Sequence, residues 1–286
     1  MKIIFIFSFI ISSSLSQEIF VQTEEKNLYR SAVEYSFDEI LDNGAYTFAL
    51  ENLSGIIKIT GHAGSGSRLV IDNRVRAVSN KNAIAILKNS QINVYHDDGN
   101  KNVSIKKLSE RYDHKIITTI DLHIPINTNI KGFVKNGDIQ INKLRGSVNL
   151  KTESVDTELN NLSGNIVFNT KGGNIYIKKT NGTIRLNVIS GNIDIMQCEG
   201  NIFTSIENGI AKLEKIKGEI KSATTLGDTE ISYFDGKQCS FDINVGNLIA
   251  KNCNSDFKVN IDIGDITIND VKGNATQFTG IGQINM

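Results

Sequence analysis

One proline, three cysteines and no tryptophan stand in a chain of 286 residues. The scarcity of proline excludes a collagen-like or proline-rich linker protein. Charge of one sign is also lacking: 31 basic side chains balance 31 acidic ones, so the chain carries no electrostatic footprint for nucleic acid or an anionic membrane. A hydrophobic content of 40% excludes general disorder. No apolar run beyond the first residues is long enough to be a membrane span. What the chain does have is 44 isoleucines and 33 asparagines, strand formers mixed with turn formers. The composition describes many short strands.

The first segment reads as an export signal. Lys2 gives a positive start, residues 3–11 (IIFIFSFII) form an apolar core, and in Ser14-Leu15-Ser16 the two serines place small residues at the two positions a signal peptidase reads. Cleavage is expected between Ser16 and Gln17. Nine residues are too few for roughly 30 Å of hydrocarbon. No cysteine follows the core, so no lipid anchor is expected. The mature chain is then exported: periplasmic, on the cell surface or secreted.

After residue 130 the glycines fall on a nine-residue lattice. Gly137, Gly146, Gly164, Gly173, Gly182, Gly191, Gly200, Gly209, Gly218, Gly227 and Gly236 share one phase, with Val155 at the vacant node. A one-residue slip near Gln238 resets it, and Gly246, Gly264, Gly273 and Gly282 continue with Ser255 at the missing node. Two unit types alternate, Gly-(Asp/Asn)-Ile-x-Ile and Leu-x-Gly-x-Val-x-Leu, so the period is eighteen. Within each unit apolar and polar residues alternate as they do on a strand. Each glycine is therefore expected to mark a structural corner.

Stacked at eighteen residues, the sequence gives columns of one chemical kind. Ile175, Ile193, Ala211, Thr229, Leu248 and Ile266 form one, and Ile184, Ile202 and Ile220 belong to another. The predicted fold is all-β, a single-stranded β-helix (β-solenoid) with about 18 residues per rung, about 4.8 Å between rungs. No rung buries enough apolar surface to fold alone. The expected divisions are a signal peptide over 1–16, an N-terminal cap over 17–43, irregular rungs with polar loops over 44–130 and a regular solenoid over 131–286. Residues 84–87 read as one of the strands of the irregular part.

Residues 117–125 (ITTIDLHIP), residues 134–141 (VKNGDIQI) and the recurring Gly-Asn-Ile-x-Ile units resemble the bacterial putative-adhesin β-strand-repeat family, which is related in pattern to autotransporter adhesin head domains. The resemblance covers roughly residues 35–286. It implies an exported right-handed β-helix associated with the cell envelope and supplies no catalytic residues.

Other chemistries find little support. Calcium-binding β-rolls need Gly-Gly-x-Gly-x-Asp with stacked carboxylates; here the corner acids are only Asp138, Asp228 and Asp265. Sugar cleavage needs acids converging on one face, yet the outward column Glu158, Tyr176, Asp194, Lys212, Glu230 mixes signs. The histidines His62, His96, His114 and His123 lack metal-ligand spacing. His96 with Asp97 and Asp98 is the one acid–histidine cluster. The glycines at 61, 64 and 66 are followed by no helix pattern and no phosphate-loop lysine. Cys198 and Cys253 share an inward column three rungs apart, roughly 14 Å by rung spacing and too far to bridge, Cys239 falls on another inward column, and all three read as buried reduced thiols.

The sequence therefore points to an exported, non-enzymatic β-helical surface or envelope protein, an adhesin or scaffold, with no cofactor and no metal. Its expected partner is an envelope or extracellular protein or glycan, with no nucleic acid. Self-association through the C-terminal rung is a further expectation. A carbohydrate-active β-helix enzyme and an envelope-stress or signalling accessory protein are the alternatives.

Overall fold

The computed structural model describes Ser8–Phe9 and residues 21–285; the expected cleavage point at Ser16 and Gln17 lies outside the described residues. The chain is a β-solenoid of stacked parallel coils of about 18 residues. It divides into two compact units, residues 1–146 and 147–286.

The second unit is the regular one. Strand Ile193–Asn208 pairs in parallel with Ala211–Leu226 over their whole length, Ile193 opposite Ala211 and Ile206 opposite Thr224. The column Ile175, Ile193, Ala211, Thr229, Leu248, Ile266 exists as a continuous ladder of neighbours. All six members are buried. A second ladder runs Ile166, Ile184, Ile202, Ile220, Cys239, Phe257. Each buried aliphatic is worth about 2 kcal/mol, and each contacts its equivalents one coil above and below.

The slip near Gln238 is a bulge. Gly218 faces Gly236 but Ile220 faces Cys239, so one extra residue is accommodated over 237–238 and the register then resumes. Cys239 consequently lies inside, fully buried between Ile220 and Phe257.

A bend not marked by glycine recurs once per coil. Asn161, Lys179, Gln197, Lys215, Tyr233, Asn252 and Asp270 all adopt left-handed backbone with φ of 53 to 56°. Each of the first six sits between two buried residues three apart, such as Leu159 and Leu162, and Asp270 sits between buried Ile268 and half-buried Val271. Strict alternation would turn one of that pair outward, and the left-handed residue absorbs the difference.

The first unit is built around strand Thr47–His62. On one side it pairs in parallel with Asn129–Leu144, Gly55 facing Gly137 and Ile59 facing Ile141. On the other it pairs in parallel with Asn102–Lys107 and then with Ile116–Pro125. From there the ladder turns antiparallel: Ile116–Pro125 pairs with Ser67–Arg76, and that strand with Leu28–Phe37. Residues 22–37 are thus sheet strands at the margin of this unit.

Residues 84–87 are not a strand. They belong to the helix Asn80–Lys88, capped by Ser79, whose side chain accepts a hydrogen bond from the Asn82 amide at 3.3 Å. Ala83, Ile86 and Leu87 show the i, i+3, i+4 spacing of a helix face and are buried with Tyr29, Val75 and Ala77 in a small separate core. Residues 97–102 form the turn of the hairpin Ile92–Asp97 with Asn102–Lys107. Lys106 and Lys107 lie in its second strand.

Candidate functional site

The acid–histidine cluster is a structural joint. Asp97 accepts hydrogen bonds from the Asn100 amide at 3.0 Å and its side-chain nitrogen at 2.7 Å, which closes the hairpin turn. Asp98 accepts from Lys101 Nζ at 2.7 Å and from the Tyr46 hydroxyl. These donors hold both carboxylates below their usual range, chiefly through Asn100 for Asp97 and Lys101 for Asp98. The His96 ring lies against Phe37 and Tyr46, at centroid distances of 5.4 and 5.8 Å, with Nδ1 3.1 Å from Glu39. Asp97 is thus committed to the hairpin turn, while Asp98 through Tyr46 and His96 through Glu39 fasten the hairpin onto residues 37–46; His96 Nε2 is buried without a hydrogen-bond partner.

The other histidines are dispersed. His62 contacts its neighbour's carbonyl, and His123 lies 3.3 Å from Asp121 on its own strand. Among the described residues no three His, Cys, Asp or Glu side chains come together as a metal donor set.

Corner asparagines and aspartates also have defined work. The Asp228 carboxylate accepts from the Asn247 amide one coil later at 2.8 Å. Asn247 Oδ1 accepts from the Asp265 amide at 2.9 Å, and Asp265 from the Gln283 amide at 2.8 Å. Asp156, Asn174 and Asn192 form the same relay in earlier coils. These oxygens satisfy backbone donors at bends. Asp and Asn interchange in the relay because either supplies the acceptor oxygen; where Asn follows Asp, as at Asn174 and Asn247, its side-chain nitrogen also donates to the preceding carboxylate, at 3.2 and 3.0 Å.

At the lattice glycines the backbones of successive coils approach closely. Gly182 has φ of +131°, and a Cβ built on it would lie 2.3 Å from the Gly164 carbonyl oxygen. Gly146 and Gly236 lack the left-handed φ, yet their added Cβ atoms would meet carbonyl oxygens at 1.9 and 2.0 Å.

All three cysteines are free and buried. Burial pushes the Cys198 thiol up to about 11 and that of Cys239 up to about 12. Thiols held protonated at neutral pH are not nucleophiles.

What remains is the outward surface of the second unit. The column Glu158, Tyr176, Asp194, Lys212, Glu230, Ile249, Thr267 runs across successive coils without two acids as neighbours. Within it burial raises the Asp194 carboxyl, Glu214 adds to the effect and Lys212 opposes it. Elsewhere aromatic rings meet cations from adjacent coils: Arg185 lies 4.7 Å from the Phe203 ring centroid and Lys215 5.8 Å from that of Tyr233. A shallow depression is lined by Lys251, Asn252, Ile268, Asn269 and Asp270. One outward column, Leu226, Val245, Ile263 and Ile281, is aliphatic throughout and exposed. Reading by strand alternation could not find it, because it directly follows an outward position in each coil.

No protein-family model matches the chain, and no curated protein does. Among solved structures it is similar to a putative cell adhesion protein from Clostridium sporogenes, at 10% identity and a TM-score of 0.34 over 89% of this chain and 98% of that one. Similarity at that level assigns neither family nor function.

Proposed function

We propose that this protein is an exported, non-enzymatic β-solenoid that works by presenting its outward faces to envelope or extracellular partners, as an adhesin or scaffold. The observation that carries this is a contrast within the same coils. Inward columns repeat one chemistry from coil to coil, whereas the outward column Glu158, Tyr176, Asp194, Lys212, Glu230, Ile249, Thr267 changes residue type at every step. Uniform interiors serve stacking, and a varied, rigid exterior provides a surface for recognition. Export rests on the N-terminal segment, with a leader removed after Ser16.

The test is saturable binding of the mature chain to a glycan array and to purified envelope fractions. Retention of a defined ligand supports the reading, and absence of saturable binding to either overturns it. Release of reducing sugar from envelope polysaccharide would favour the carbohydrate-active alternative instead. N-terminal sequencing of exported protein, starting at Gln17, tests the leader.

A further inference from the structure

Four successive coils of the second unit carry an exposed aliphatic residue at one equivalent position: Leu226, Val245, Ile263 and Ile281 face one another in register. Their exposures are 50, 41, 47 and 69%. The same position in the three preceding coils holds Gly172, Ser190 and Asn208. The column therefore changes from small and polar to aliphatic partway along the stack, which the coil geometry itself does not require. A contiguous apolar strip on a soluble surface marks an interaction site.

The margins of the strip are acidic. Within four residues stand Asp228 and Glu230 beside Leu226, Asp242 beside Val245, and Asp262 and Asp265 beside Ile263; no acid stands that close to Ile281, and no lysine or arginine stands that close to any of the four. The nearest cations on these strands, Lys221 and Lys258, are five residues away. Two such strips facing each other would oppose like charges, so the charge pattern disfavours a second copy here and favours a cationic partner.

The spacing selects the partner's conformation. Coils repeat at about 4.8 Å, so four rungs span roughly 14 Å along the stack. On a helix, residues three or four apart rise about 4.5 to 6 Å, whereas same-face residues of a strand lie about 6.6 Å apart. A helix lying along the stack keeps step with the ladder; a strand loses register within two rungs.

We propose that the Leu226–Val245–Ile263–Ile281 ladder is a docking strip for a cationic amphipathic helix of a partner protein, its aliphatic side chains against the ladder and its lysines or arginines against the acidic margins. This rests on the reading of the chain as a presented binding surface and names a partner class for it.

The experiment uses the mature chain and a fluorescein-labelled 18-residue peptide of leucine and lysine in helical order. Controls are the same composition in strict alternation and a version with glutamate for lysine. Fluorescence anisotropy should show at least tenfold tighter binding of the helical lysine peptide than of either control. Combined Val245→Ser and Ile263→Ser should weaken it at least tenfold, with circular dichroism unchanged because both side chains are exposed. Asp228→Asn with Asp262→Asn preserves side-chain acceptors and should weaken binding severalfold at low salt. Equal binding of the three peptides, or undiminished binding by the serine variant, overturns the proposal. If the serine variant fails to fold, the asparagine pair decides: undiminished binding there overturns it too. Loss of peptide binding alongside retained capture of a glycan or envelope ligand would remove this strip and leave the wider function standing.

Discussion

A Cβ built on Gly173 would fall 2.1 Å from the carbonyl oxygen of Val155, its equivalent one coil earlier. Gly173 also has φ of +106°, whereas its neighbour Gly172 does not have a left-handed φ and its nearest approach is 3.3 Å, to Glu153. Gly173→Ala should therefore cost about 3 kcal/mol or more, combining backbone strain with a backbone clash that no rotamer change relieves. Gly172→Ala should lie within about 1 kcal/mol of wild type. Urea denaturation of the two variants side by side separates lattice glycine from incidental glycine; equal effects would refute the close-approach argument.

Lys107 and Asp113 form an ion pair at 2.5 Å, with the lysine side chain 2% exposed. Removing only the carboxylate strands a buried ammonium, so Asp113→Ala should destabilise the first unit by about 3 to 5 kcal/mol. Adding Lys107→Met should recover most of that loss, because an apolar side chain of similar length suits the site. Thermal denaturation of the single and double variants measures the difference.

The thiols make stability fall at alkaline pH. Cys198 and Cys239 are held above the ordinary thiol value of 9.0, at about 11 and about 12, chiefly by burial. Their contribution is fully present below pH 9, where both states are protonated. It is lost as pH rises towards the folded values, because the unfolded chain ionises first, at about 1.4 kcal/mol per pH unit per thiol. Cys198→Ala should flatten the stability profile between pH 9 and 11 by that increment. In the native protein at pH 8 all three cysteines should react slowly with a thiol reagent, and all should react at once in denaturant.

Asn192 both receives and passes on the corner relay: its amide donates to Asn174 Oδ1 at 3.1 Å, and its own Oδ1 accepts from the Ile210 amide at 2.9 Å. Asn192→Ala should cost about 1 kcal/mol by leaving one backbone donor without its protein acceptor. Asn192→Asp should be nearly neutral, as at Asp228. Equal destabilisation by the two would show that the acceptor oxygen is not what matters.

Much of the second unit can be read without coordinates. The nine-residue glycine lattice, the isoleucine columns and the slip near Gln238 are local regularities, and stacking converts each into a ladder with the predicted register. The burial of Cys198, Cys239 and Cys253 follows from the same columns. The first unit is less legible because its pairings join residues far apart without a period. Thr47–His62 pairs with strands over 102–107, 116–125 and 129–144, and an antiparallel ladder intervenes. The helix at 80–88 was readable in principle from Ser79 and the Ala83, Ile86, Leu87 spacing, but four apolar-rich residues at 84–87 also satisfy a strand.

Residue order alone settled which side chains stack on which, since a constant repeat length leaves one alignment of the columns. Which way the side chains beside each bend point was settled only in three dimensions. Alternation carried through from Thr224 would put Leu226 inside. The bend before Gly227, at φ of +137°, turns both Thr225 and Leu226 outward, and Val245, Ile263 and Ile281 follow. Strand parity is a local property, but a mirror-region glycine and the carbonyl packed against it reset that parity once per coil. The aliphatic ladder on the surface exists because of that reset.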